Sequence, residues 1–159
     1  MNQLDREILA ALQRDGRLSN LALARELGLS PSAMLGRVRR LEQSGAIRGY
    51  RAIVDPAALG IMVQALTVVK LREHSERAIR EFEEAVKDVP GVRACYHVTG
   101  QFDMVMMLAL RDLDHLAQMI RVDLARIPGV MQLETMLVMA EPVEDGGWPD
   151  FPQGQPAGF

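Results

Sequence analysis

The chain holds 159 residues, 48% hydrophobic and 25% charged, which suits one or two modest cores and excludes the composition of a disordered protein. No apolar run reaches the roughly 20 residues of a membrane span, and Met1-Asn2-Gln3-Leu4-Asp5 lacks the basic-then-apolar order of a signal peptide, so a cytoplasmic chain with no membrane partner is expected. Net charge is −3, but residues 1–52 carry nine Arg against five acids (net +4), whereas residues 53–159 carry nine Lys plus Arg against sixteen acids (net −7). The basic first third suits a polyanion, and an acidic total does not argue against this, since only the surface that meets phosphate has to be positive.

Residues 1–46 predict three helices. Leu4, Ile8, Leu9 and Leu12 recur at helical spacing and stop before Asp15-Gly16, where glycine can end a helix. Ser19 or Asn20 can cap a second helix with Leu23, Ala24 and Leu27 on one face, and Gly28 permits a sharp turn. Ser30-Pro31 opens a third helix: serine offers a capping oxygen, and proline at the first helical position gives up an N–H that has no partner there. That helix runs to about Ser44-Gly45.

Met34, Val38 and Leu41 form the third helix's apolar stripe, which turns Ser32, Gly36, Arg39, Arg40 and Gln43 outward and leaves Arg37 at the margin. A glycine turn followed by a helix with an arginine-bearing face is the pattern of a helix-turn-helix. In that motif the first residues of the recognition helix reach base edges in the major groove, and later cations reach phosphates. Double-stranded DNA is therefore the expected partner. Ser30, Ser32, Ala33, Gly36, Arg37, Arg39 and Arg40 are the candidate contacts on this helix. A mid-helix glycine costs roughly 1 kcal/mol relative to alanine, so at Gly36 either a close approach to DNA offsets the cost or the site tolerates it.

Ala46 to Asp55 reads as a strand in a linker spanning residues 47–60, broken at Pro56 and turned at Leu59-Gly60. Its Arg48 and Arg51 are further candidates for the DNA backbone, with solvated linker cations as the alternative. Residues 61–140 contain an internal echo. Pro90-Gly91-Val92 and Pro128-Gly129-Val130 each open a strand-like run after an amphipathic segment, the first carrying Ile79, Phe82 and Val86, the second Leu116, Ile120 and Leu124. With Val63–Leu71 in front and Met104–Leu110 between them, the order is βαββαβ. The chain is thus expected to be an α+β protein, a three-helix helix-turn-helix domain joined to a ferredoxin-like domain with two helices on one face of four antiparallel strands. The sheet's other face, expected to expose apolar residues among Val68, Met104, Met106, Leu108, Met136 and Val138, suits burial against a second copy.

Ten methionines and three histidines raise the question of a metal. The methionines alternate through a predicted strand as packing residues do, and His74, His97 and His115 lack Cys or carboxylate companions at ligand spacing, so no metal or cofactor is expected. The single Cys95 excludes an internal disulfide and sits in a strand-like run as a small hydrophobe. No nucleophile-base set, phosphate-cradling loop or carboxylate pair points to an enzyme. After Glu141-Pro142 a Gly/Pro-rich stretch, 141–159, is expected to be a mobile tail, with Trp148 and Phe151 able to dock on a neighbouring subunit.

Six motifs, in this order along residues 2–140, carry a resemblance: Leu4-Asp5-Arg6-Glu7-Ile8-Leu9, Leu29-Ser30-Pro31-Ser32, Arg37-Val38-Arg39-Arg40-Leu41-Glu42, Gly45-Ala46-Ile47-Arg48-Gly49-Tyr50, Val98-Thr99-Gly100-Gln101-Phe102-Asp103 and Pro128-Gly129-Val130. Together they resemble the Lrp/AsnC family of transcription regulators. The resemblance implies a helix-turn-helix joined to a ferredoxin-like sensing domain. It further implies homodimers formed through the sheets, assembly into octamers or other rings, and an amino acid or related metabolite as effector. By position it implies an effector loop at Gly100, Gln101, Phe102 and Asp103, faced by Thr135. Glycine there would expose backbone N–H groups to a carboxylate, and Asp103 would receive an amino group; the alternative is an ordinary strand connection whose Asp caps nearby N–H groups.

Two departures from the family pattern stand out. Gln101 replaces the usual acid and removes one charge that could hold an ammonium group, while Ala33 and Gly36 stand where many members carry larger or cationic residues. Two other readings remain. One is a DNA-architectural protein without an effector. The other is a sirohaem decarboxylase, which shares the two-domain layout but carries an Arg- and His-rich stretch where this chain has Tyr96-His97-Val98-Thr99-Gly100.

Overall fold

Helix α1 (Gln3–Arg14) begins with a reciprocal cap in which the Asn2 side chain accepts from the Asp5 N–H at 2.9 Å and the Asp5 carboxylate accepts from the Asn2 N–H at 3.1 Å. Ser19 caps α2 (Asn20–Glu26), and Ser30 caps α3 (Pro31–Gln43) through the Ala33 N–H. Between α2 and α3 the chain reverses at Gly28, whose φ of 66° is a conformation that other residues avoid. The three helices bury Ile8, Ala11, Leu23, Ala24, Met34, Val38 and Leu41 in one core, so the predicted apolar stripe of α3 is the one that faces inward.

The computed structural model describes residues 1–143 and 147–149, which fall into two units. One comprises Met1–Ile53 with the described residues after Glu141, the other Val54–Glu141. The linker expected to be a strand over 47–60 is not one here: residues 48–55 have no ladder partner, and Pro56–Leu59 form a single 3₁₀ turn capped by Asp55. A strand requires a neighbour to receive its backbone groups, and none of the described residues of this chain supplies it. Tyr50 instead folds back onto α3, its hydroxyl 3.1 Å from Glu42 Oε1. Burial, then the Glu42 carboxylate, raises the phenol above its ordinary pKa.

In the second unit, β1 (Val63–Leu71), β2 (Val92–His97), β3 (Met104–Leu110) and β4 (Val130–Leu137) form one antiparallel sheet in the order β2-β3-β1-β4, the ferredoxin-like arrangement. Helix α4 (Glu76–Lys87) contributes Phe82 and Val86 to the core beneath the sheet. Helix α5 (Leu113–Gln118) contributes Leu116 and runs into a π-helical turn, Met119–Leu124. The wider i→i+5 turn brings Met119 and Leu124 onto the same inward side, and both are fully buried.

The sheet's two faces differ from expectation. Met104, Met106 and Leu108 lie under the helices, 0%, 0% and 2% exposed, not on the open face. The register explains it: they stand opposite Val69, Thr67 and Ala65, all helix-facing, and directly opposed residues share a face. Both alternating sets of β3 are apolar, so alternation alone could not say which set turns in. The open face includes Leu66 and Val68 of β1, Val105 and Met107 of β3, and Met136 and Glu134 of β4. Val68 and Met136 are therefore on this face as expected, while Leu66, Val105 and Met107 take the place of Met104, Met106 and Leu108.

Residues 147–149 lie on α1 of the same chain. The Gln13 amide donates to the Trp148 carbonyl at 3.2 Å and its oxygen accepts from the Trp148 N–H at 2.6 Å, while the indole is 81% exposed. Gly147 takes a φ of 93°, a conformation that favours glycine. Phe151 lies outside the described residues. Because Trp148 is the single tryptophan, Gln13→Ala is expected to lower its fluorescence anisotropy without changing the melting of the helical core; equal anisotropy in the two proteins would mean that the amide does not hold the segment.

Candidate DNA interface and effector loop

The residues of α3 left outside the core make one outward surface. Ser32, Ala33, Gly36, Arg39 and Arg40 are exposed, at the N-terminal and middle turns of the helix that follows the Gly28 turn. A Cβ at Gly36 would meet nothing within 4 Å, so no packing in this chain requires the glycine. Arg48 and Arg51 are exposed in the segment that follows.

Two of the predicted contacts have other duties. The Ser30 hydroxyl caps α3 and lies 3.3 Å from that of Ser32. Arg37 reaches across to α1, its guanidinium 2.8 Å from Asp5 Oδ1, in a pair whose side chains are only 23% and 18% exposed. The Asn2 N–H holds the Asp5 carboxyl below its ordinary pKa, with burial opposing and Arg37 adding to the lowering. Arg37 thus fixes α3 against α1. Asp5 was legible as a motif residue, but nothing in the local pattern shows that it would meet a residue 32 positions away.

Arg39→Ala and Arg40→Ala are each expected to weaken binding to all DNA sequences alike. Each is also expected to reduce the slope of log affinity against log salt by about 0.9 for every phosphate that is no longer neutralised. Arg37→Ala is expected to lower the melting temperature of the helical unit instead. Salt-titrated DNA binding alongside thermal unfolding separates the two effects.

In the second unit, residues 98–103 join β2 to β3. Gly100 and Gln101 are exposed, Phe102 is half-buried, and Asp103 is 3% exposed. Asp103 is tied on all sides: its N–H donates to the Val69 carbonyl (2.9 Å), its carbonyl accepts from the Val98 N–H (3.0 Å), Oδ2 accepts from the Leu71 N–H (2.8 Å), and Oδ1 lies 2.7 Å from His74 Nδ1. Lys70 Nζ stands 3.8 Å from Oδ2. Burial pushes the carboxyl's pKa up, but the Leu71 N–H, His74 and Lys70 outweigh it and hold the pKa below the ordinary value. Both oxygens are therefore engaged within the chain.

Thr135 points to the helix side, its Oγ1 2.9 Å from that of the fully buried Thr67. It lies on β4, across β1 from the strand that follows the loop, so a single chain does not bring Thr135 and Gly100–Asp103 into one cavity. The sequence reading missed a groove between α4 and the edge strand β2, lined by Glu83, Val86, Val92, Arg93, Cys95 and Met104 among others. Burial, and then the nearby Glu83 charge, raises the Cys95 thiol above its ordinary pKa. Among the described residues no cluster of three or more His, Cys or acid side chains could hold a metal, and no helix is long and apolar enough to cross a membrane.

Comparison with known proteins agrees with this geometry. Residues 64–148 match the model of the Lrp/AsnC ligand binding domain, and residues 1–48 match a winged helix-turn-helix DNA-binding model. The chain belongs to the Lrp/AsnC family. It is 35% identical over 141 residues to the leucine-responsive regulatory protein of Escherichia coli K12, covering 89% of this chain and 86% of that one. Among solved structures, a transcriptional regulator of Neisseria meningitidis in complex with L-Met superposes with a TM-score of 0.85 at 29% identity, over 91% of this chain and 93% of that one. An AsnC family regulator from Agrobacterium tumefaciens gives 0.87 at 26% identity, over 94% and 97%. This Lrp/AsnC protein is accordingly a DNA-binding transcriptional regulator that carries a ligand-binding domain.

The Asp103 ties make stability depend on pH. Because the folded pKa is depressed, the carboxylate's contribution is complete above the unfolded value of about 3.9 and is lost as pH falls through the folded value. Asp103→Asn is expected to cost about 1–3 kcal/mol at neutral pH, with the gap to the parent protein closing below about pH 4. Thermal unfolding of both proteins across that range checks it; a gap that persists at low pH would show that charge is not its source.

Proposed function

We propose that this Lrp/AsnC regulator reads duplex DNA sequence-specifically through the outward face of α3, as part of a cytoplasmic homo-oligomer whose DNA binding is set by an amino acid. The effector class is supported above all by the likeness to the Neisseria meningitidis regulator, whose structure holds L-Met. On that reading Ser32, Ala33 and Gly36 approach base edges, and Arg39, Arg40, Arg48 and Arg51 meet phosphates. The open sheet face supports the oligomer: Leu66, Val105, Met107 and Met136 give it apolar surface around Val68, with Glu134 beside them, that a second copy, sheet to sheet, would cover, with rings of such dimers as the larger assembly.

One observation favours a second reading, a DNA-organising protein that needs no effector. Both oxygens of Asp103 are already engaged and position 101 is neutral, so the loop offers no free carboxylate to an ammonium group. A panel of the common amino acids, followed by melting temperature and by affinity for bound DNA, separates the two. The effector reading predicts that at least one raises the melting temperature and changes DNA affinity, as linkage requires. No shift with any of them would leave the effector-free reading. Release of carbon dioxide from an added tetrapyrrole would displace both in favour of an enzyme.

A further inference from the structure

His74 lies in the segment between β1 and α4, and His97 is the last residue of β2. Their spacing along the chain makes no metal motif, but the fold brings them together. His97 stands opposite Met104, which is buried under the helices, and directly opposed residues share a face. The His97 ring is therefore on the helix side of the sheet, where it meets His74. The two ring centres are 6.1 Å apart and the rings are inclined at 52°, so they are not stacked.

The state of the His74 ring follows from its partner. Nδ1 lies 2.7 Å from Asp103 Oδ1, and an ionised carboxylate can only accept, so Nδ1 carries the hydrogen and donates. In the neutral ring this leaves the lone pair on Nε2. A carboxylate behind the imidazole, which fixes its tautomer and raises its basicity, is the support that metal-binding histidines ordinarily have. The His97 ring is exposed and forms no hydrogen bond or ion pair among the described residues, so its nitrogens are open to a ligand. On a tetrahedral ion with metal–nitrogen bonds of about 2.0–2.1 Å, two imidazole centres stand about 5 Å apart. Closing the remaining distance, about 1 Å, takes a turn of the exposed His97 ring and leaves the Asp103 bond to His74 in place.

The charges nearby are of both signs. Lys70 Nζ is 3.8 Å from the other Asp103 oxygen, and Lys87, which lines the same groove as His97, pairs with Glu84. Arg93 of that groove is exposed, where salt screens it, and Glu83 lines the groove with the opposite charge.

We propose that His74 and His97 bind a divalent transition metal ion of the imidazole-preferring kind, Zn²⁺, Ni²⁺ or Cu²⁺, with water completing its coordination and Asp103 holding the His74 ring from behind. With no third His, Cys or acid at coordinating distance among the described residues, the pair is a chelate for an exchangeable ion and not a structural cage of four ligands. The ion would tie the segment after β1 to the end of β2, and so brace the connection 98–103 that Asp103 anchors at its other end.

The test titrates the full-length, metal-free protein with NiCl₂ and with ZnCl₂ in calorimetry and follows thermal unfolding with and without each ion. At least one of the two ions is expected to bind and to raise the melting temperature. His97→Gln, which removes no hydrogen bond, is expected to leave the ion-free melting temperature unchanged, to weaken binding roughly tenfold or more and to abolish the ion-dependent rise. His74→Gln is expected to weaken binding as much, and His115→Gln, at the remaining histidine, to bind as the parent does. Nitrogen chemical shifts of the ion-free protein are expected to show His74 with its hydrogen on Nδ1. If neither ion binds the parent protein, or if His97→Gln keeps both the binding and the rise in melting temperature, the site is overturned. A His74 ring protonated on Nε2 alone would overturn it too, because no lone pair would then face the ion with Asp103 behind it.

Discussion

The Asp103 carboxylate is the constraint on which the second unit depends. By accepting from the Leu71 N–H and His74 while its own backbone bonds Val69 and Val98, it joins the end of β1, the start of β3 and the end of β2 at one buried point. A one-residue slip of β3 against β1 would turn Val105, Met107 and Ala109 inward and put Met104, Met106, Leu108 and Leu110 on the open face. Both sets are apolar, so hydrophobicity alone would not forbid the slip. The carboxylate does, because a slipped strand would leave a buried charge without its donors, which is far costlier than exposing a methionine. The identity of the apolar face offered to a second copy follows from the same register.

A parallel economy governs the first unit. Asp5 completes the cap of α1 with one oxygen and holds Arg37 of α3 with the other, so the start of the first helix and the middle of the third are set by a single side chain. Using Arg37 internally leaves Arg39 and Arg40 as the cations that α3 presents outward. The outward surface of α3 is thereby fixed in orientation as well as in charge.

What could be read from the sequence divides along local and non-local lines. The cap at Ser30-Pro31, the turn at Gly28, the buried stripe Met34, Val38 and Leu41 and the span Val63–Leu71 are decided by residues within a turn or two, and the structure has them where the pattern places them. The inward face of β3 depends on its pairing with β1, a distant stretch of the chain, and the engagement of Asp103 depends on the end of that same strand. The linker read as a strand fails for a related reason. Propensity proposes a strand, but a partner has to accept its hydrogen bonds. At the effector loop the motif was visible while the state of its carboxylate was not, since spacing does not reveal whether an acid's lone pairs are already taken.

That last distinction separates acids that hold the fold from those able to hold a ligand. For Asp103 to bind an ammonium group it would have to release the Leu71 N–H or His74, leaving a buried donor unpaired, so much of the gain would be lost again. Asp5 is bound in the same way by Asn2 and Arg37. In each unit a carboxylate that sets helix packing or strand register is spent on the fold, so an acid's value to a ligand depends on what its lone pairs already hold.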